Sequence, residues 1–306
     1  MSAAGKKNFQ PKNVLMGTLF LLIPVLFLLF FFFLPLRSIF ETAYRFFDAE
    51  ISLKWSKVGN VFWFTFWQAA VSMVLTLACG FPAAWIFSRF RFPGKTILRG
   101  IFSIPFILPT VVTAAAFNAL LGPRGWINML WTMATGDPAP AVKLINTIWI
   151  ILLAHIFYNF SVVIRIVGNA WIQIDTRLES AAKTLGASPW RTFWEVTFPQ
   201  LKPAILSAGL LIFLFDFTSY GVIILLGGPK FRTIEVEIYQ RALQMLNLPS
   251  AGFLSLLQIL VTLAVTLVDR RLSKTARTNL APRVSGENTR PPANFREKTL
   301  VLTIIL

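Results

Sequence analysis

ESAAKTLGASPWRTFWEVTFP, residues 179–199, lies between two strongly apolar runs and is itself poorly suited to hydrocarbon. It carries four charges (Glu179, Lys183, Arg191 and Glu195), a glycine and two prolines. Residues 176–185 are mostly helix formers and small side chains, with Asp175 or Thr176 placed to cap the start. Gly186 suits the left-handed position just past a helix end. Ser188-Pro189 reads as the N-cap and first position of a second short helix. Trp190, Phe193, Trp194 and Phe198 give that helix apolar bulk, and Pro199 and Pro203 predict a break before the next run. The expectation is a helix–turn–helix elbow at a membrane face. Ala181 and Ala182 leave one side without bulk, so another protein can approach its backbone, and Glu179 offers a charge beside that smooth patch. A plain connector between two spans is the alternative.

The rest of the chain explains why a membrane is invoked. Of 306 residues, 56% are hydrophobic and only 14% charged, about half the soluble norm. Six runs are long enough, or nearly so, to cross hydrocarbon as helices: residues 14–36, 61–87, 101–121, 145–167, 204–226 and 253–268. The first is too long for a signal-peptide core and no small-residue cleavage site follows it, so it reads as a retained anchor. The reading is an all-α polytopic membrane protein with a tail at 1–13, six spans over 14–268 and an intervening loop at 169–203.

The net charge of +16 must then be read by position. Nineteen Lys and Arg residues fall in the N-terminal tail, the gap after Phe87, the gap holding residues 179–199 and the stretch after Val268; nine fall in the other gaps. A bias of about two to one that keeps phase through six crossings puts the N-terminus and the elbow in the cytoplasm. Read this way, the basic charge reports orientation and implies no nucleic-acid partner. The stretch from 269 to 298 has linker composition. Residues 299–306, TLVLTIIL, read as the start of a further span, or alternatively as a short amphipathic tail on the membrane.

The order Glu179-x-Ala181-Ala182-x-x-x-Gly186, then Ala187, Phe193, Val196 and Pro199, closely resembles the EAA loop of binding-protein-dependent ABC importer permeases, with Ser180 in place of the first alanine. Residues 217–239, including Tyr220, Gly221 and Gly227-Gly228-Pro229, resemble the fifth span and following loop of permeases grouped with thiamine and ferric-iron importers. The resemblance covers about residues 61–268. It implies a six-helix type I importer transmembrane domain in a bacterial inner membrane, with two permease halves, fused in one polypeptide or paired as a homodimer. It implies that the elbow docks on a cytoplasmic ABC ATPase dimer through Glu179, Ala181, Ala182, Gly186 and Ala187. It further implies that an extracytoplasmic solute-binding protein delivers the solute, with ferric iron or thiamine favoured. ATP and Mg belong to the ATPase, so this chain is expected to hold no cofactor and to be no enzyme. Phe92-Pro93-Gly94-Lys95-Thr96 ends like a phosphate loop, but position 89 is Arg where a glycine is needed, so it reads as a turn.

Polar residues inside the apolar runs are the remaining candidates. Asp216 either faces a cavity and a cationic solute, or forms a structural pair, for instance with Arg165. His155 and Asn159, four apart, share a helical face and either bond neighbouring helices or line a cavity. Tyr220 is a further candidate for the solute path. One Cys and one His leave no basis for a metal site or for Cys–His catalysis. The rival function is a secondary transporter driven by an ion gradient, with Asp216 as the coupled acid.

Overall fold

The computed structural model describes residues 11–48, 55–279 and 289–305. Residues 1–10 of the expected tail at 1–13, residues 280–288 of the expected linker at 269–298, and Leu306 lie outside the described residues. Among the described residues every regular element is a helix, as hydrocarbon requires when backbone N–H and C=O groups have no water to bond.

The chain divides into two compact units. The smaller takes residues up to 53 together with 238–257. In it, α1 (Pro11–Leu28) passes through a π-helical turn at Leu29–Phe33 into α2 (Leu34–Asp48). None of Leu29–Phe33 is buried, and the whole aromatic stretch is exposed, as a lipid-facing helix would be. Gly252 lets a later helix approach Ala43 of α2, where an added Cβ would stand 3.1 Å from the Ala43 nitrogen.

The larger unit holds residues 54–237 and 258–306. Its first helices are α3 (Trp55–Arg89), α4 (Lys95–Ile107), α5 (Thr110–Leu121), α6 (Trp126–Thr135) and α7 (Ile148–Ile172). After them come α8 (Thr176–Thr184), α9 (Pro189–Thr192), α10 (Phe198–Phe217), α11 (Ile234–Tyr239), α12 (Leu248–Asn279) and α13 (Phe295–Ile305), the units dividing within α11 and α12. The buried face of α3 follows the helical period through Thr65, Gln68, Ser72, Thr76, Gly80, Ala83, Ala84 and Phe87. Small residues on this stripe let helix backbones approach closely, which is how helices associate without a hydrophobic drive between them. Gly80 is the tightest point: a Cβ there would lie 2.6 Å from Val163 Cβ of α7. Val163 and Val167 of α7, Ala84 of α3 and Ala208 and Ile212 of α10 close the core.

Helix ends depart from the apolar runs for local reasons. The run at 101–121 is split between α4 and α5, and α4 is bent by 102° from the stretch 110–135 that holds α5 and α6. Pro109 forces Leu108 into an extended conformation (φ −67°, ψ 141°) and stops α4 there. The expected break at Pro199 and Pro203 does not occur. A π-helical turn at Phe193–Thr197 shifts the register just before Pro199, whose missing N–H falls in the first turn of α10. Pro189 to Phe217 is therefore one continuous apolar rod of 29 residues. The run at 204–226 instead ends at Phe217, with irregular backbone and a π-helical turn at Ile223–Gly227 beyond it. At the other end, α12 continues through Asn279, well past Val268. Among the described residues five helices are long and apolar enough to cross a membrane, or six if the bent pair counts as one span.

Gly80→Val should overpack the α3–α7 crossing and lower stability by about 1–3 kcal/mol. Cys79→Val, one position away on the exposed side, should change it by less than about 0.5 kcal/mol. Thermal midpoints of the detergent-purified protein read both, and equal midpoints would refute the close crossing.

Candidate functional site

The elbow forms as α8 and α9 with a tight turn between them. Asp175 Oδ1 accepts the Arg177 N–H at 3.0 Å and caps α8. Its other end closes in a Schellman arrangement: the Ala187 N–H donates to Ala182 O at 3.0 Å and the Gly186 N–H to Lys183 O at 2.9 Å. This needs a left-handed residue, and Gly186 has φ +86°. Ala182 and Ala187 occupy the positions whose side chains meet across such a turn. The spacing Ala-Ala-x-x-x-Gly-Ala is thus the footprint of one helix stop. Ser188 Oγ then accepts the Arg191 N–H at 3.2 Å, with Pro189 in the first turn of α9.

Glu179 departs from the expected exposed charge. It is only 8% exposed, accepts a hydrogen bond from Arg89 Nη1 at the end of α3 (3.0 Å), and accepts another from Thr197 Oγ1 at the foot of α10 (2.9 Å). Charge-assisted bonds of this kind are stronger than neutral ones. Glu179 thus fastens the elbow to the bundle. Ala181 and Gly186 are exposed; Ala182 and Ala187 are half-buried. The space around Gly186 is open, with nothing within 4 Å of an added Cβ. Around the turn stand Leu178, Leu185, Trp190 and Trp194, with Leu185 88% and Trp190 72% exposed. Leu178 and Leu185 were not singled out by the sequence; the signal was two leucines on an otherwise polar helix.

The intramembrane polar residues converge. Asn159 Nδ2 donates to Asp216 Oδ1 at 2.7 Å, and His155 Nδ1 lies 3.6 Å from the same oxygen. His155 Nε2 is 2.9 Å from Ser219 Oγ, and Gln68 Nε2 donates to the Asp216 main-chain oxygen at 2.9 Å. Arg165 is exposed, so the considered Arg165 pair is replaced by Asn159 and His155. All four side chains at the centre, Gln68, His155, Asn159 and Asp216, are at most 2% exposed. Tyr220 is half-buried and packs against a neighbouring cluster that includes Ala114, Ile151 and Val222. The polar cluster sits where α10 ends, and its members serve the freed backbone. Thr65 Oγ1 accepts the Ile234 N–H at 3.0 Å, and Thr233 Oγ1 donates to Ser219 O at 3.1 Å. Gln68 and Thr65 were missed in the sequence, although they share the buried period of α3. No group of three or more His, Cys, Asp or Glu residues suited to a metal occurs among the described residues.

A C-terminal segment docks at the end of α3. Arg290 O accepts from the Arg91 N–H at 2.9 Å, its own N–H donates to Arg89 O at 3.2 Å, and its guanidinium lies over the Phe90 ring at 5.3 Å. Val301 of α13 packs with Ile86 and Phe90. Arg290 donates to Glu297, and chiefly this bond, with the Ala293 amide, holds the Glu297 carboxyl down at about 2.

The family model described as "Binding-protein-dependent transport system inner membrane component" matches residues 77–274. The chain is 32% identical over 224 residues to the thiamine transport system permease protein ThiP of Salmonella typhimurium (strain LT2), which covers 72% of this chain and 40% of that protein. It is 36% identical over 165 residues to a probable sulfate transport system permease protein, cysT, of Chlorokybus atmophyticus, covering 53% of this chain and 56% of that one. The chain thus spans less than two thirds of either relative. In fold it is similar to a chain of a bacterial ABC transporter involved in the import of alginate, with a TM-score of 0.67 at 18% identity over 87% of this chain and 96% of that one.

Asn159→Leu should leave the buried Asp216 carboxyl without the Asn159 donor and cost about 1–3 kcal/mol, visible as a lowered thermal midpoint. Asp216→Asn, which keeps the shape and one acceptor oxygen, should cost less. The reverse ranking would show that the Asn159–Asp216 bond does not hold α7 to the end of α10.

Proposed function

The chain belongs to the family of binding-protein-dependent transport system inner membrane components, and from that premise we propose that it is the membrane-spanning subunit of an ATP-driven importer whose elbow docks on a separate cytoplasmic ATPase dimer. The observation that carries this reading is the elbow's combination of firm anchorage and exposed apolar surface. Glu179, held by Arg89 and Thr197, fixes α8 to the bundle. Leu178, Leu185, Trp190 and Trp194 face outward around a glycine turn with open space about it. Clustered exposed apolar side chains with polar neighbours mark a surface for a partner. In this reading Ala181, Ala182, Gly186 and Ala187 shape the contact, and Glu179 sets its position from behind.

The remaining parts follow the family. ATP and Mg are held by the ATPase, and this chain catalyses nothing itself. An extracytoplasmic binding protein delivers solute, and a second permease half, fused or a second copy, completes the path. The N-terminus lies in the cytoplasm, in keeping with the distribution of Lys and Arg. Thiamine is the proposed solute, ahead of sulfate and ferric iron, on the resemblance of residues 217–239 to permeases grouped with thiamine importers together with the 32% identity to the thiamine permease over 224 residues. A secondary transporter using Asp216 is disfavoured: its carboxyl group is bonded to Asn159 inside the packed bundle.

Radiolabelled thiamine uptake by cells or proteoliposomes carrying the whole importer tests the proposal. Uptake should stop without the ATPase or with vanadate and persist when a protonophore collapses the proton gradient. The opposite pattern would establish the secondary-carrier reading, and sulfate uptake in place of thiamine would correct the solute. Gly186→Leu has room for its side chain and should cost only about 1–2 kcal/mol of left-handed backbone strain. It should nonetheless abolish co-purification of the ATPase. Retained co-purification would remove the turn from the contact.

A further inference from the structure

A cavity of about 280 Å³ lies where the elbow meets the end of α3. Arg89, Lys183, Arg290, Trp85, Trp171 and Thr192 stand in its wall. They come from α3, α7, the elbow and the C-terminal segment. Trp171 and Thr192 are 8% and 4% exposed, and Trp171 Nε1 and Thr192 Oγ1 are buried with no hydrogen-bond partner in the protein. A buried N–H or O–H left unbonded costs about 1–3 kcal/mol, so both groups call for an acceptor. The carboxylate in the wall, Glu179, is already engaged by Arg89 and Thr197. What remains is an indole N–H, a hydroxyl, the Lys183 ammonium, and those guanidinium N–H groups that Arg89 and Arg290 do not already give to Glu179 and Glu297. Such a wall, donor-rich and basic, selects an anion bearing several oxygens.

Size and position narrow the class. The space is roughly twenty times what a single water needs, far more than a free tetrahedral oxyanion fills. It lies where α3 ends at Arg89 and α7 at Ile172, among the Trp, Arg and Lys residues that mark headgroup level. The two indoles supply flat apolar surface beside the charges. We propose that this cavity binds the phosphate of an anionic phospholipid, with Lys183 and Arg290 supplying the charge and Trp171 and Thr192 the neutral donors. A bound lipid then joins the elbow to the C-terminal segment at a point where the protein leaves space. The proposal goes beyond the importer reading and needs only that the chain spans a bilayer.

Native mass spectrometry of the full-length protein in mild detergent tests it, with phosphatidylglycerol, phosphatidylcholine and inorganic phosphate added in separate titrations. Phosphatidylglycerol should be retained about tenfold better than phosphatidylcholine, a difference of about 1.4 kcal/mol. Lys183→Gln and Arg290→Gln should each reduce that retention several-fold, whereas Arg290→Lys, which keeps the charge, should preserve most of it. Thr192→Val should weaken binding with the charges intact. Lys183 is exposed, so the thermal midpoint of Lys183→Gln should stay near that of the parent and separate lost binding from lost fold; at 290, where the guanidinium also pairs with Glu297, Arg290→Lys is the control for fold. Equal retention of the two lipids, or unchanged retention in all the variants, overturns the site. Inorganic phosphate binding more tightly than phosphatidylglycerol overturns the lipid as its ligand.

Discussion

A peptide group in hydrocarbon has no water to fall back on, and this protein meets that constraint most sharply where α10 stops at Phe217. The backbone that follows, through Ser219 and on to Thr233, must find partners inside the bundle. It does so through side chains of other helices. Gln68 bonds the Asp216 carbonyl, Thr65 receives the Ile234 amide, and Thr233 reaches back to the Ser219 carbonyl. Asp216, Asn159 and His155 then belong to the same patch, where one polar side chain answers another. An acid deep in an apolar run has a reason for being there that involves no solute. The α4–α5 bend answers the same constraint differently. Pro109 removes a donor where the chain must turn, so one fewer amide needs a partner.

The elbow obeys a different rule. Outside the hydrocarbon its backbone is free to turn, and the chain uses caps to fix the turn: Asp175, Gly186 and Ser188 each satisfy a helix end. Caps alone would leave the first of the two helices, α8, swinging on a hinge, since α9 runs on into α10. The bonds from Arg89 and Thr197 to Glu179 remove that freedom, because they tie the first helix both to the end of α3 and to the foot of α10. The exposed leucines and tryptophans are therefore held in a fixed arrangement, which lowers the entropic cost of meeting a partner.

Much of this was legible in the sequence, and the misses have physical causes. Gly186 and Ser188-Pro189 announce their turn because each residue type suits few backbone conformations. The apolar runs gave the number of crossings because length and hydrophobicity alone decide that. They did not give the ends. Hydrophobicity does not distinguish Phe217, the last residue of a helix, from Val222 beyond the break. Nor do the prolines: Pro109 ends a helix, whereas Pro199 is absorbed in a first turn behind a π-helical register shift. Glu179 was recognised as special but given the wrong surroundings, since its partners lie 90 and 18 residues away. Gln68 and Thr65 were passed over because their purpose depends on a helix end elsewhere in the chain.

Pro189 to Phe217 runs unbroken for 29 residues, about 43 Å at the usual rise per residue. Its foot carries Trp190 and Trp194, and its far tip ends in the Asp216 cluster. A beam of that length, its ladder of hydrogen bonds missing only the donors of its prolines, would act as a lever. A tilt of a few degrees about its middle, too slight to disturb most side-chain packing, sends the two tips in opposite directions. Displacement at one surface of the bilayer then arrives near the other as a strain on the bond between Asn159 and Asp216.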